Sequence, residues 1–234
     1  MPDCRRGTLD GIYTAFLKSW RRQFGSIELD DPRPIADEAP YTFFLPLDEE
    51  LDALKPGDFA KLIVRSIPPS PICSAERLWA RISSISGLSM TGIIDNHPYD
   101  IPQLSIGAQI AFERDHVVAV DFLGDGPVIA PERSRCGYWE HCLVDKSVIE
   151  KRSRVQFLYR EEPDLIREND RFPDSGWRIR GDEAFGEEAI ADTVSYVALG
   201  VVLNADSSWL HLIDAPIGSV FTRDAVTNSF VPAP

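Results

Sequence analysis

Turn residues punctuate this chain so densely that long regular elements are excluded over much of it. Between Tyr41 and Asp121 the apolar segments are short: Phe59–Val64, Leu78–Ile82, Met90–Ile94, Ile110–Phe112 and Val117–Val120. Lys55-Pro56-Gly57-Asp58 precedes the first, Pro68-Pro69-Ser70-Pro71 follows it, and Gly87 separates the second from the third. Proline withdraws a backbone donor and glycine admits turn geometries, so each segment suits a strand and none can merge with its neighbour into a helix. The pair around Gly87 predicts a hairpin. Leu47, Leu51 and Leu54 predict one brief acidic helix before the strands. Residues 41–124 are therefore expected to form a small β-rich domain, a curled antiparallel sheet or partly open barrel.

Residues 1–40 read differently. Leu9, Ile12, Tyr13, Phe16, Leu17, Trp20 and Phe24 recur at helical spacing, with Thr8 placed to cap the start and Gly25 to stop the helix. Arg5, Arg6, Lys18, Arg21 and Arg22 face only Asp3 and Asp10 in this stretch, so the helix is basic as well as amphipathic. Such a helix can lie on a membrane or dock into a partner, but packing against its own acidic protein is the simpler expectation. The run Asp30-Asp31-Pro32-Arg33-Pro34-Ile35-Ala36-Asp37-Glu38-Ala39-Pro40 is polar and proline-rich, and reads as a linker.

A second turn-rich stretch at 124–135, with Gly124, Gly126, Pro127 and Pro131, predicts a boundary before a mixed α+β domain at 136–226. Val155, Phe157 and Tyr159 alternate with Arg154, Gln156, Leu158 and Arg160, and Trp177 and Ile179 alternate with Arg178 and Arg180, so both runs are expected to be half-buried strands. Ala189–Leu203 reads as a helix with Ile190, Val194, Val197 and Val201 on one face. The fold class expected for the whole chain is α+β, two small domains preceded by an amphipathic helix.

The 234 residues carry 37 Asp+Glu against 24 Lys+Arg, a net charge of -13, which opposes any function that depends on neutralising nucleic-acid phosphates. Most of the excess lies between Val155 and Asp224, where six basic residues meet fourteen acidic ones. A surface of that sign can speed association with a cationic partner by electrostatic steering, or simply keep the protein soluble. No run approaches the length of a membrane span, and the N-terminus lacks the apolar core of a signal peptide, which reads as cytoplasmic.

Cys4, Cys73, Cys136 and Cys142 are too few and scattered for a disulfide framework. Cys136, His141 and Cys142 lie within seven positions, but a structural zinc site needs four ligands, so buried reduced thiols and no metal are expected. The four histidines, His97, His116, His141 and His211, share no spacing, and neither a Gly-x-Ser-x-Gly elbow nor a Gly-rich phosphate loop occurs. No catalytic residue and no cofactor are assigned.

The densest polar cluster is Tyr159-Arg160-Glu161-Glu162-Pro163-Asp164, followed by Asp174-Ser175-Gly176-Trp177-Arg178 and Gly181-Asp182-Glu183. Two carboxylates beside a tryptophan would suit glycoside hydrolysis if they flanked a sugar. A binding surface is the preferred reading, with turn formers and structural ion pairs as the plainer one. Together with Val155–Leu158 and with Asp214-Ala215-Pro216-Ile217-Gly218-Ser219-Val220-Phe221, these motifs resemble the immunity protein 33 family, domain of unknown function 2185, over 142–224. That family is assigned to neutralising toxins of bacterial polymorphic-toxin systems. In the first half, Lys55–Leu62, Glu76–Ile82, Gly92–Pro98 and Gly107–Phe112 resemble the YegJ-like family, domain of unknown function 2314, which implies no activity.

The resemblance implies a non-enzymatic bacterial protein that occludes a protein partner, such as a basic toxin domain. Partner-binding candidates are Tyr159, Arg160, Glu161, Glu162, Asp164, Asp174, Trp177, Arg178, Asp182 and Glu183, with Pro163, Gly176, Pro216 and Gly218 setting the backbone. The alternatives are a housekeeping regulatory or ligand-binding module and, behind it, a carboxylate-dependent hydrolase.

Overall fold

A computed structural model describes residues 8–70, 72–133, 135–165, 171–181 and 193–233. The chain divides into two compact units, Met1–Asp37 with Phe44–Ser134, and Glu38–Phe43 with Arg135–Pro234.

The first unit begins with α1 (Thr8–Phe24), stopped by Gly25, whose N–H donates to the Arg21 carbonyl at 2.9 Å. Then come β1 (Ser26–Leu29), α2 (Arg33–Glu38), α3 (Asp48–Asp52), β2 (Phe59–Ile67), β3 (Glu76–Ser86), β4 (Ser89–Ile94), β5 (Gln109–Glu113) and β6 (Val117–Asp121). All pairings are antiparallel in the order β1-β2-β3-β4-β5, and β6 shares the outer edge of β2 with β1. The sheet curls around a core of Ala60, Leu62, Val64, Leu78, Ala80, Ile82, Met90, Ile94, Ile110 and Phe112, as the alternation in each strand requires. Gly87 turns the β3–β4 hairpin with φ +62°, a conformation that costs a side-chain-bearing residue.

One expectation for this unit needs correction. The stretch read as a linker contains α2: the Asp31 carboxylate accepts the Arg33 N–H at 2.9 Å, and Pro34 falls in the first turn, where a missing donor costs nothing. The α1 helix packs on its own acidic unit, as expected, and is fastened there by its cationic side. Arg21 is 3% exposed and donates to Asp100 Oδ1 at 2.8 Å; Arg22 reaches the Pro102 carbonyl and Lys18 the Tyr99 carbonyl, each at 3.2 Å. Phe16, Trp20 and Phe24, one turn apart, remain exposed.

The second unit contains β7 (His141–Asp145), α4 (Lys146–Ile149), β8 (Phe157–Arg160), β9 (Asp174–Arg180), β10 (Val194–Ala198), α5 (Leu199–Ala205), β11 (Val220–Arg223) and β12 (Phe230–Pro232). They form a mixed sheet in the order β10-β7-β9-β8-β11-β12, with β7 and β9 parallel and every other pair antiparallel. Cys142, Val144, Val148, Leu158, Trp177, Ile179, Val202, Leu203 and Trp209 make its core.

Here the alternation in β8 favours the other face: Leu158 is fully buried while Phe157 and Tyr159 are half-buried. The helix expected over Ala189–Leu203 is in part a strand. Val194–Ala198 pair with β7, and helix starts only at Leu199; residues 182–192 lie outside the described part of the structure. The β-branched Val194 and Val197 fit the sheet edge better than a helix interior. Gly200 then permits a close approach, since a Cβ there would meet the Tyr41 carbonyl at 2.7 Å.

Candidate protein-interaction site

β9 is central and buried over Asp174–Ile179. Its neighbour β8 lies antiparallel, placing Tyr159 opposite Arg178 and Arg160 opposite Trp177. This register brings together motifs that are separated in sequence. Arg160 Nε donates to the Ser175 carbonyl at 3.1 Å and Nη1 to the Ala215 carbonyl at 2.8 Å, tying β8 to the Asp174–Arg178 run and to the Asp214–Gly218 turn. The Arg160 carbonyl accepts the Gly218 N–H at 2.7 Å, where φ is +89°.

Gly176 is a second such position. Its φ is +79°, its carbonyl accepts the Glu161 N–H at 3.0 Å, and a Cβ would stand 2.1 Å from the Glu161 carbonyl oxygen. Only glycine lets the two strands approach this closely.

Arg178 is the hub of the polar cluster. Its side chain is 4% exposed and forks onto Asp174, Nη1 to Oδ1 and Nη2 to Oδ2, each at 2.9 Å. Nε donates to Glu161 and Nη2 also to Asp164 Oδ1 at 3.0 Å. Asp174 further accepts backbone N–H bonds from Gly176 at 3.1 Å and from Asp164 and Leu165 at 3.3 Å. Burial alone would raise the Asp174 pKa, but bonds from Arg178, Gly176 and Leu165 outweigh it and hold the carboxyl below its usual range. The Arg178 guanidinium is shifted upward, first by its hydrogen bond to Asp174 and then, against its burial, by Glu161.

The ten candidate residues thus divide. Asp174, Trp177 and Arg178 are buried and occupied internally. Trp177 donates Nε1–H to the Ile213 carbonyl at 3.2 Å and meets Trp209 edge-on at 5.7 Å, a core role rather than that of an exposed anchor. Glu162 and Asp164 are exposed, Tyr159, Arg160 and Glu161 partly so, and together they form the accessible edge. Asp182 and Glu183 lie outside the described residues. An ionised, fully bonded Asp174 is also the opposite of a general acid, which needs a raised pKa. The Cys136, His141 and Cys142 trio diverges: Cys142 is fully buried, its thiol pKa pushed up by desolvation, whereas Cys136 is exposed, so only one of these thiols has the expected burial. His141, on the opposite side of the strand from Cys142, places Nδ1 at 3.0 Å from the Phe172 carbonyl.

Residues 142–233 match the family model of the immunity protein Imm33 domain. The match takes in β7 to β12, with the Arg178 hub and the accessible acidic edge. It leaves out the first unit, whose YegJ-like resemblance gains no support. No curated protein and no solved structure matches the chain. Among the described residues no helix is long and apolar enough to cross a membrane.

Sequence reasoning missed two further partnerships within the matched residues. Arg180 pairs with Asp145 at 2.9 Å, and Arg223 with Asp206 at 2.9 Å, the latter pair being under a tenth exposed on both sides. No short-range spacing signals either, because the partners come from different elements.

Proposed function

We propose that the second unit is the toxin-binding part of an immunity protein and acts in the bacterial cytoplasm by occluding a basic toxin domain. The match of residues 142–233 to the Imm33 domain carries this reading. The edge formed by Glu161, Glu162 and Asp164, with Tyr159 and Arg160 beside it, supplies charge of the sign that steers a cationic partner. Asp182 and Glu183 extend the negative charge of this segment. Asp174 and Arg178 act from beneath, by fixing the backbone that presents the edge.

Glu162 is the best probe, because it is exposed and lies outside the Arg178 cluster, whereas Glu161 is a member of it. Affinity purification from the native bacterium at low and moderate salt identifies the partner. The expected result is a stoichiometric toxin that is inactive in the complex. Glu162→Lys should then slow association at low salt by about 2- to 10-fold, with unfolding unchanged. A partner that stays active when bound, or an association rate indifferent to Glu162→Lys, overturns the proposal.

A further inference from the structure

Beside the Arg178 hub, the second unit holds a cleft of about 280 Å3. Tyr138, Trp139, Trp177, Leu199 and Ile213 line it, with Cys136, Glu140, Arg160 and Asp214 as its polar groups. The aromatic lining is held by further rings: Tyr41 meets Tyr138 edge-on at 6.0 Å, Phe172 stacks on Trp139 at 6.0 Å, and Trp209 meets Trp177 at 5.7 Å. A cleft held open in this way needs little reorganisation to accept a guest.

Its charges are unevenly committed. Arg160 is anchored to the Ser175 and Ala215 carbonyls and sits 5.7 Å from the Trp177 ring. Glu140 and Asp214 are exposed, and neither side chain makes a hydrogen bond or ion pair with any described residue. The three ionised groups sum to one negative charge, so an anionic guest would meet two unpaired carboxylates. A guanidinium would meet the Tyr138 and Trp139 rings, since Trp177 is fully buried, and carboxylates that accept its N–H groups. The volume falls just below the roughly 300 to 1,000 Å3 range of pockets for drug-sized ligands, which suits a single side chain.

We propose that this cleft receives an arginine side chain from the protein partner, its guanidinium held between Trp139 and the Glu140 and Asp214 carboxylates. The inference rests on the reading that the second unit binds a protein. It adds an anchoring pocket to the steering edge, with Arg as the kind of hot-spot residue that a pocket of this sort captures.

The test uses the full chain and no toxin, so it can fail independently of that reading. The Trp139 indole N–H signal is followed by NMR, assigned by its loss in Trp139→Phe, during titration with N-acetyl-arginine amide. N-acetyl-citrulline amide, of the same shape without the charge, is the control. A saturable shift with a Kd of about 1 to 10 mM is expected for arginine amide alone. Glu140→Gln and Asp214→Asn should each weaken it about 2- to 5-fold, with the Trp177 and Trp209 signals unmoved in the free protein. No saturation by about 50 mM, equal shifts with the citrulline compound, or indifference to both substitutions overturns the proposal.

Discussion

Arg178→Met should be the most damaging conservative-volume change in the second unit. The native guanidinium serves three carboxylates at once, and the one it grips with both nitrogens, Asp174, is only 2% exposed. Removing the cation leaves Asp174 charged, buried and dependent on backbone N–H groups alone. Stranding a buried partner in this way costs about 3–5 kcal/mol. The two outer arms add little, because the Glu161 and Asp164 side chains are 43% and 71% exposed and water can replace the lost contact.

Asp174→Asn should cost less, about 1–3 kcal/mol. Arg178 then keeps Glu161 and Asp164, and the remaining amide oxygen can still accept from Gly176. Urea unfolding of the full chain, followed through the indole NMR signals of Trp177 and Trp209, reads this unit directly. If Asp174→Asn proves as costly as Arg178→Met, or if Arg178→Met costs under about 1 kcal/mol, the cation is not the organising centre. A double-mutant cycle should also show strong coupling, since the two side chains share both of their best bonds.

Three further outcomes are expected. Asp174 and Asp206 are both held below the usual carboxylate range, in each case because hydrogen bonds overcome burial; Ser208, Val155 and Arg223 supply the bonds to Asp206. A carboxyl depressed in the folded state stabilises above its unfolded pKa of about 3.9 and loses that contribution as pH falls through the folded value. Acid titration should therefore weaken the Trp177 and Trp209 signals only below about pH 4, and loss beginning near neutrality would contradict the assignment. Gly218→Ala should cost about 1 kcal/mol for its positive φ, with open space around the new methyl, whereas Gly176→Ala should cost clearly more because its methyl meets a backbone oxygen; equal midpoints in urea would refute the clash. Iodoacetamide should modify Cys136 in the native protein and spare Cys142 until unfolding, as peptide mass mapping can show.

Local chemistry made much of the architecture legible. The turn signals around Gly57 and Gly87 and the alternation in 59–64, 78–82 and 90–94 correspond to β2, β3 and β4, because each depends on neighbours one or two residues away. The same short range explains the errors. Alternation in β8 is symmetrical enough that either face could be inward, and only packing against β9 and the helices selects Leu158. Val194–Ala198 became strand because β7 offers its edge, a partner some fifty residues away that no local periodicity records.

By itself the sequence determined an acidic α+β chain with strands bounded by glycine and proline, a basic amphipathic first helix, and a charged run around 159–178. Composition and spacing act locally, and those properties are local. Tertiary structure alone decided which charges are used up and which face water. Arg178 and Asp174 look like surface groups in a polar motif, yet pairing of β9 in the middle of the sheet buries both beside Trp177 and leaves Glu162 and Asp164 outside. The Tyr138–Trp139 cleft likewise exists only because strand pairing carries Arg160 and Asp214 to residues that precede β7.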